Sequence, residues 1–247
     1  MRTPGVYSLR DYLKHALIQM VEPETFPLRR EIAEMLYQLY PDEDFSAIAR
    51  FYCDNIQSAN ALPYAAFAYF THLGDQKDES SQAAVTLGCL LYDVGAMCDA
   101  YEILETAVQA PKPSPMAFLT LGCACVEMHE YENAIRYLKE GADIDPDSDR
   151  FYYNMSLAYF ELGDYENAEQ AVKTGIELSA YPIDLNMQLM RIYVHAKRFV
   201  DALPLARYVS SQDPDMFMSA ILFPEFEAFR ELPPVRSMIE ECRTHDN

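Results

Sequence analysis

Residues 149–182 read Asp149-Arg-Phe-Tyr-Tyr-Asn-Met-Ser-Leu-Ala-Tyr-Phe-Glu-Leu-Gly-Asp-Tyr-Glu-Asn-Ala168, then Glu-Gln-Ala-Val-Lys-Thr-Gly-Ile-Glu-Leu-Ser-Ala-Tyr-Pro182. Set beneath the segments that start at Ser81, Pro115 and Ile183, this stretch falls into register at a period of 34 residues, without insertion from Ser81 to Met216. Column 7 holds Leu87, Leu121, Met155 and Leu189, and column 8 holds Gly88, Gly122, Ser156 and Met190. Column 20 is alanine throughout: Ala100, Ala134, Ala168 and Ala202. Column 24 carries Leu104, Leu138, Val172 and Ala206, and column 32 carries Pro146 and Pro214. A fixed period of this length predicts stacked helical hairpins. Each hairpin buries its apolar face only against its neighbours, which leaves an extended concave wall for a partner.

The third segment supplies Tyr152, Tyr153, Asn154, Leu157, Ala158 and Tyr159, followed by Leu162-Gly-Asp-Tyr165 and Ala168. The second supplies Phe118, Leu121, Gly122, Tyr131, Ala134 and Pro146. In these columns the chain resembles the tetratricopeptide repeat family, whose pattern is an aromatic at column 4, Leu-Gly at 7 and 8, Tyr at 11, Ala at 20 and Pro at 32. The match departs at column 4, which is Ala84 in the first unit and Asn186 in the last, and the chain has no tryptophan. The resemblance implies an all-α, right-handed superhelical solenoid of helix-turn-helix repeats. Four repeats are expected at 81–114, 115–148, 149–182 and 183–216, preceded by a degenerate repeat at 46–80. An N-terminal helical segment at 1–45 and capping helices at 217–247 complete the expectation.

Composition fits that class. Half of the 247 residues are hydrophobic, enough to build a core in one elongated array or two small domains. No apolar run approaches the roughly 18 residues that a membrane helix needs. The N-terminal stretch lacks the layout of a secretory signal, so the expected location is cytoplasmic and the six cysteines are expected as thiols. The net charge of −20 is uneven: residues 41–182 carry −17, whereas 1–40 and 183–216 are each neutral. Such acidity disfavours nucleic acid, whose binding rests on neutralising phosphates. It keeps an apolar-rich array soluble and can steer a basic or amphipathic partner.

Further helix signals lie outside the four repeats. Ser8-Leu-Arg-Asp11 has the spacing of a capping box, and Pro27 can open the helix that runs through Leu28, Ile32, Met35 and Leu39. Ala66 and Phe70 occupy columns 20 and 24 of the degenerate repeat. Pro204, early in the last second helix, predicts a late helix start capped by Asp201.

The glycines argue against phosphate chemistry. Gly88 and Gly122 sit where helices approach, Gly141 and Gly175 sit at column 27 for the same reason, and Gly95 and Gly163 fall in column 15 between helices, where a positive φ is required. The repeat absorbs six of eight, leaving only Gly5 and Gly74, so no phosphate-cradling loop can be assembled. The five histidines show no metal-ligand spacing, and Cys123 and Cys125 project about 200° apart on a helix. No catalytic residue, metal or cofactor is expected.

A binding face emerges from helical geometry. At 100° per residue, columns 4, 7, 8 and 11 share one face of each first helix, and columns 5, 9 and 12 project together at about 120–180°. The first is the stacking face; the second is the one that lines the concave groove in the family it resembles. Here column 5 is Val85, Leu119, Tyr153 and Met187, column 9 is Cys89, Cys123, Leu157 and Arg191, and column 12 is Tyr92, Val126, Phe160 and Val194. All but Arg191 are apolar, aromatic or thiol. Helices apolar on two faces are buried on both sides or await a partner.

The expected site is therefore a groove for a hydrophobic, and in part basic, peptide or helix. Val85, Cys89, Tyr92, Leu119, Cys123, Val126, Tyr153, Leu157, Phe160 and Met187 would line it, and Arg150, Asn154, Arg191 and His195 would fix orientation at its edges. The family's carboxylate clamp needs Lys and Asn at columns 5 and 9, which the two middle repeats lack. The segment from Met216 to Ile239 is apolar enough to cap the array, to dock in its groove or to form a homodimer. The function expected is a non-enzymatic protein-interaction adaptor. A chaperone resembling those of type III secretion, holding a hydrophobic translocator, is one alternative. An enzyme on a helical-repeat scaffold is another, and it would require a polar constellation in the groove.

Overall fold

The computed structural model describes residue 65 and residues 78–245. Every element among the described residues is helical. The chain divides into two compact units, Met1–Met128 and His129–Asn247. In the first, α1 (Asp78–Asp93) pairs with α2 (Met97–Val108), and α3 (Pro115–Glu127) packs on both. The second opens with α4 (Tyr131–Ile144) against α5 (Asp149–Glu161). Two hairpins follow, α5 with α6 (Tyr165–Leu178) and α7 (Ile183–His195) with α8 (Phe199–Gln212). The C-terminal elements are α9 (Pro214–Ile221), a 3-10 turn (Pro224–Phe226), α10 (Glu227–Arg230) and α11 (Pro233–His245). The N-terminal segment 1–45 and the degenerate repeat 46–80 lie outside the described residues, apart from Ala65, which is helical and buried, and residues 78–80, which open α1.

The 34-residue period is visible in the backbone itself. Gly95, His129, Gly163 and Lys197 all occupy column 15, and all have positive φ, at 83°, 61°, 75° and 58°. The turn geometry repeats even where the residue is not glycine. After α5, the Gly163 amide donates to Phe160 O at 2.9 Å and the Asp164 amide to Tyr159 O at 2.9 Å. After α7, the Lys197 and Arg198 amides donate to Val194 O and Tyr193 O at 3.0 and 2.8 Å. These bonds satisfy carbonyls that a helix end would otherwise strand. Capping opens the next helices: Asp164 accepts from the Asn167 amide at 3.2 Å, and Asp213 accepts from the Met216 amide at 2.8 Å.

Small residues set the helix spacing. A Cβ on Gly88 would meet Leu104 Cγ at 2.4 Å, and one on Gly175 would meet Leu185 Cδ2 at 2.7 Å. The four alanines of column 20 are completely buried. At the end of the second unit, Phe217, Phe226, Phe229, Val235 and Met238 join one apolar cluster with Ala202, Ala206 and Val209. This seats the C-terminal helices on α8, each fully buried phenylalanine contributing about 1.5–3 kcal/mol.

The expectation at Pro204 is corrected. α8 starts at Phe199 with Arg198 as its N-cap, and Pro204 lies inside the helix. Asp201 is no cap; it accepts from Arg198 Nε at 2.8 Å. The proline removes the bond that Val200 O would have received. Val200 is 81% exposed, which puts its stretch of helix on the solvent side, where water can substitute.

Candidate functional site

The second face of the first helices is neither uniformly open nor uniformly closed. Column 9 is half-buried in all four: Cys89, Cys123, Leu157 and Arg191. In the first unit, Tyr92 and Val126 at column 12 are also half-buried, while Val85 and Leu119 at column 5 are only 3% and 4% exposed. In the second unit, Tyr153 and Met187 at column 5 are half-buried, while Phe160 and Val194 at column 12 are 6% and 4% exposed. Val85, Leu119 and Phe160 therefore leave the set of open anchors, because intramolecular packing already covers them. Arg150 is exposed, and Asn154 Nδ2 donates to Arg150 O at 2.8 Å within α5.

A polar lid explains the burial of Phe160. Its ring meets His195 edge-on at 4.7 Å and tilts against Tyr165 at 5.5 Å, and the Arg191 guanidinium sits 4.1 Å above its centroid. The C-terminal 3-10 turn, which packs on α7, pins that lid. Arg191 Nε donates to Glu225 Oε1 at 2.9 Å, and Nη2 lies 3.5 Å from Glu225 Oε2 and 3.6 Å from Glu161 Oε1. His195 Nε2 lies 3.3 Å from Glu225 Oε2. Arg191 and His195, read from sequence as groups that orient a partner, are engaged within the chain. Glu225 and Glu161 are the residues that sequence reasoning missed. The pairing spans 34 residues, and nothing in Pro224-Glu-Phe-Glu227 announces it.

Burial pushes the Tyr153 hydroxyl above its ordinary value; Asp184 adds to the shift and Arg191 opposes it. Tyr92 is raised too, first by burial and then by the charges of Cys123, Glu127 and Asp93. Both therefore present neutral phenols at neutral pH, suited to apolar contacts and hydrogen bonds. In the first unit Cys89 Sγ lies 3.3 Å from Thr120 Oγ1, linking α1 to α3.

A second ionic cluster joins α6 to α7 and the start of α8. Glu169 receives Lys173 Nζ at 2.6 Å, the Tyr193 hydroxyl at 2.9 Å and Arg198 Nη1 at 2.5 Å. Burial pushes its carboxyl up, but these donors outweigh it and hold the group below its ordinary value. Every partner in this cluster is satisfied internally, which fits a structural tie. Among the described residues, no group of acids, histidines and cysteines could hold a metal ion. None of the described helices is long and apolar enough to cross a membrane.

Comparison with known proteins places these hairpins. Residues 126–180 match the family described as tetratricopeptide repeat. No curated protein matches the chain. Among solved structures, a tetratricopeptide repeat protein from Parabacteroides merdae is 14% identical, covering 81% of this chain and 78% of its own, with a TM-score of 0.65. MamA from Desulfovibrio magneticus, residues 41 to the end, is 18% identical over 76% of this chain and 96% of its own, with a TM-score of 0.56. A thermophilic repeat protein of Thermus thermophilus, TTC0263, is 18% identical over 72% and 97%, also with a TM-score of 0.56. At these identities the likeness concerns the fold. Residues 126–180 match the tetratricopeptide repeat family, the same 34-residue hairpin recurs on either side of them, and the chain is similar in fold to tetratricopeptide repeat proteins.

Proposed function

We propose that the protein is a non-enzymatic scaffold that holds an apolar segment of a partner protein on the second face of its first helices. The fold supports a protein-interaction role at the coarse level. The single observation that carries the finer reading is the half-open apolar patch on α5 and α7 of the second unit, which pack on each other. Tyr153, Leu157 and Met187 there keep part of their surface in water. A row of such side chains loses that exposure when an apolar peptide covers it, at about 25 cal/mol for each Å² of apolar surface. The acidic surface favours a segment flanked by basic residues. The reading includes a reducing, cytoplasmic setting.

The test is capture of partners from the native cell by the tagged wild-type protein and by a Tyr153→Ala, Leu157→Ala variant, with mass spectrometry of what is bound. The variant is expected to lose the partner at least tenfold while keeping its helical circular dichroism. A partner retained in full by the variant overturns the reading.

A further inference from the structure

The lid over Phe160 is itself a binding site with an occupant. Arg191 offers two donors to one carboxylate, His195 closes its other side, and the guanidinium is fixed in plane by the ring beneath it. This is the geometry that selects a carboxylate, and the one it holds belongs to the chain itself. Resting on the groove reading above, we propose that Arg191 and His195 form a carboxylate notch that Glu225 keeps filled. An acidic side chain of the bound partner segment takes the place of Glu225 there, next to apolar anchors on Tyr153, Leu157 and Met187.

Several features make Glu225 a replaceable occupant and not a fixed part of the core. The side chains of Arg191, His195 and Glu225 are 29%, 31% and 26% exposed, so the pairing is reached by water and worth only about 0–1 kcal/mol. The next residue, Phe226, is buried, so the 3-10 turn stays anchored when the Glu225 side chain alone swings away. Leu222 and Phe223, shortly before it in the chain, are 60% and 59% exposed, so the segment that carries Glu225 is not sealed in on that side. Glu161 stays within 3.6 Å of Arg191, so the guanidinium keeps one acidic neighbour during the exchange.

The tethered position of Glu225 sets the class of ligand. An intramolecular competitor acts at an effective concentration in the millimolar range, so a free carboxylate cannot displace it. A segment that also fills the column 5 and 9 positions can. The partner motif is then an acidic residue adjacent to aromatic or aliphatic anchors. The neutral balance of residues 183–216 permits such a motif here, in contrast to the strongly acidic stretch before it.

The experiment uses peptides that copy the chain's own occupant. Acetyl-Leu-Phe-Pro-Glu-Phe-amide and its Gln analogue are titrated into the full chain, and amide shifts in α5 and α7 are followed by NMR. Glu225→Gln is expected to bind the Glu peptide about fivefold or more tightly than wild type does, and about fivefold more tightly than it binds the Gln peptide. Adding Arg191→Met should abolish that discrimination. Equal affinity of the Glu225→Gln variant for the two peptides, or no shift in α5 and α7 with either, overturns the notch. Failure of the groove reading is a separate result, since it is scored by partner retention in the Tyr153, Leu157 variant, which leaves the notch residues intact.

Discussion

The first helices of each unit carry the same apolar second face, but each unit seals a different column of it. In the first, column 5 is sealed by Val85 and Leu119 while column 12, Tyr92 and Val126, stays half open. In the second, column 5 is half open at Tyr153 and Met187, and column 12 is sealed at Phe160 and Val194. Residues of the same class in the same columns thus differ in accessibility. At Phe160 the cause is concrete: Arg191, His195 and Tyr165 lie over the ring, and Glu225 pins two of them. A repeat position therefore defines which way a side chain points, and the neighbours decide whether it is available.

The sharpest way to break this inversion is truncation at matched columns. Phe160→Ala should destabilise the protein by about 3–4 kcal/mol, as expected for a buried aromatic, and Val126→Ala by only about 1 kcal/mol. At column 5 the order reverses, with Leu119→Ala costing about 2–4 kcal/mol and Tyr153→Ala about 1 kcal/mol. Urea unfolding followed by circular dichroism measures all four. Equal losses within either pair would remove the distinction between the units.

The turns allow a smaller and independent comparison. Gly163 has room around it, with nothing within 4 Å of an added Cβ, so Gly163→Ala should lose about 1–2 kcal/mol purely from its left-handed backbone. Lys197 already bears that strain at the same column, and Lys197→Gly should stabilise the protein by up to about 1 kcal/mol. Thermal melting of the two variants should shift in opposite directions.

The smallest effect concerns acid. Because the folded carboxyl of Glu169 is held below its ordinary value of 4.5, its contribution is fully present above that value. It is lost as pH falls through the lower folded value, when protonation removes the acceptor for Lys173, Tyr193 and Arg198. Glu169→Gln should therefore flatten the stability of the second unit between neutral and acidic pH. A variant as acid-sensitive as wild type would place the sensitivity elsewhere.

Local signals made most of the fold readable. Ala100, Ala134, Ala168 and Ala202 recur because only a small residue fits where paired helices touch, and Gly88 against Leu104 shows the same constraint at 2.4 Å. Column 15 was legible through Gly95 and Gly163, whereas His129 and Lys197 adopt the same positive φ without a glycine to signal it. Pro204 was misread because the rule against proline in a helix assumes that the lost partner is buried, and Val200 faces water. The candidate face was legible in direction and less so in access: Leu157, Tyr153 and Met187 remain half open, while Leu119, Val85 and Phe160 do not.

Periodicity and composition alone determined that this chain winds into 34-residue helical hairpins with an apolar second face, because both follow from spacing along one helix and from the size of residues at fixed columns. Which part of that face reaches solvent was decided by tertiary structure. The group that pins its cover over Phe160 is brought from far along the chain, Glu225 to Arg191 across 34 residues. Ion pairs of that range depend on where folded segments come to rest, and no pattern in either segment encodes the other.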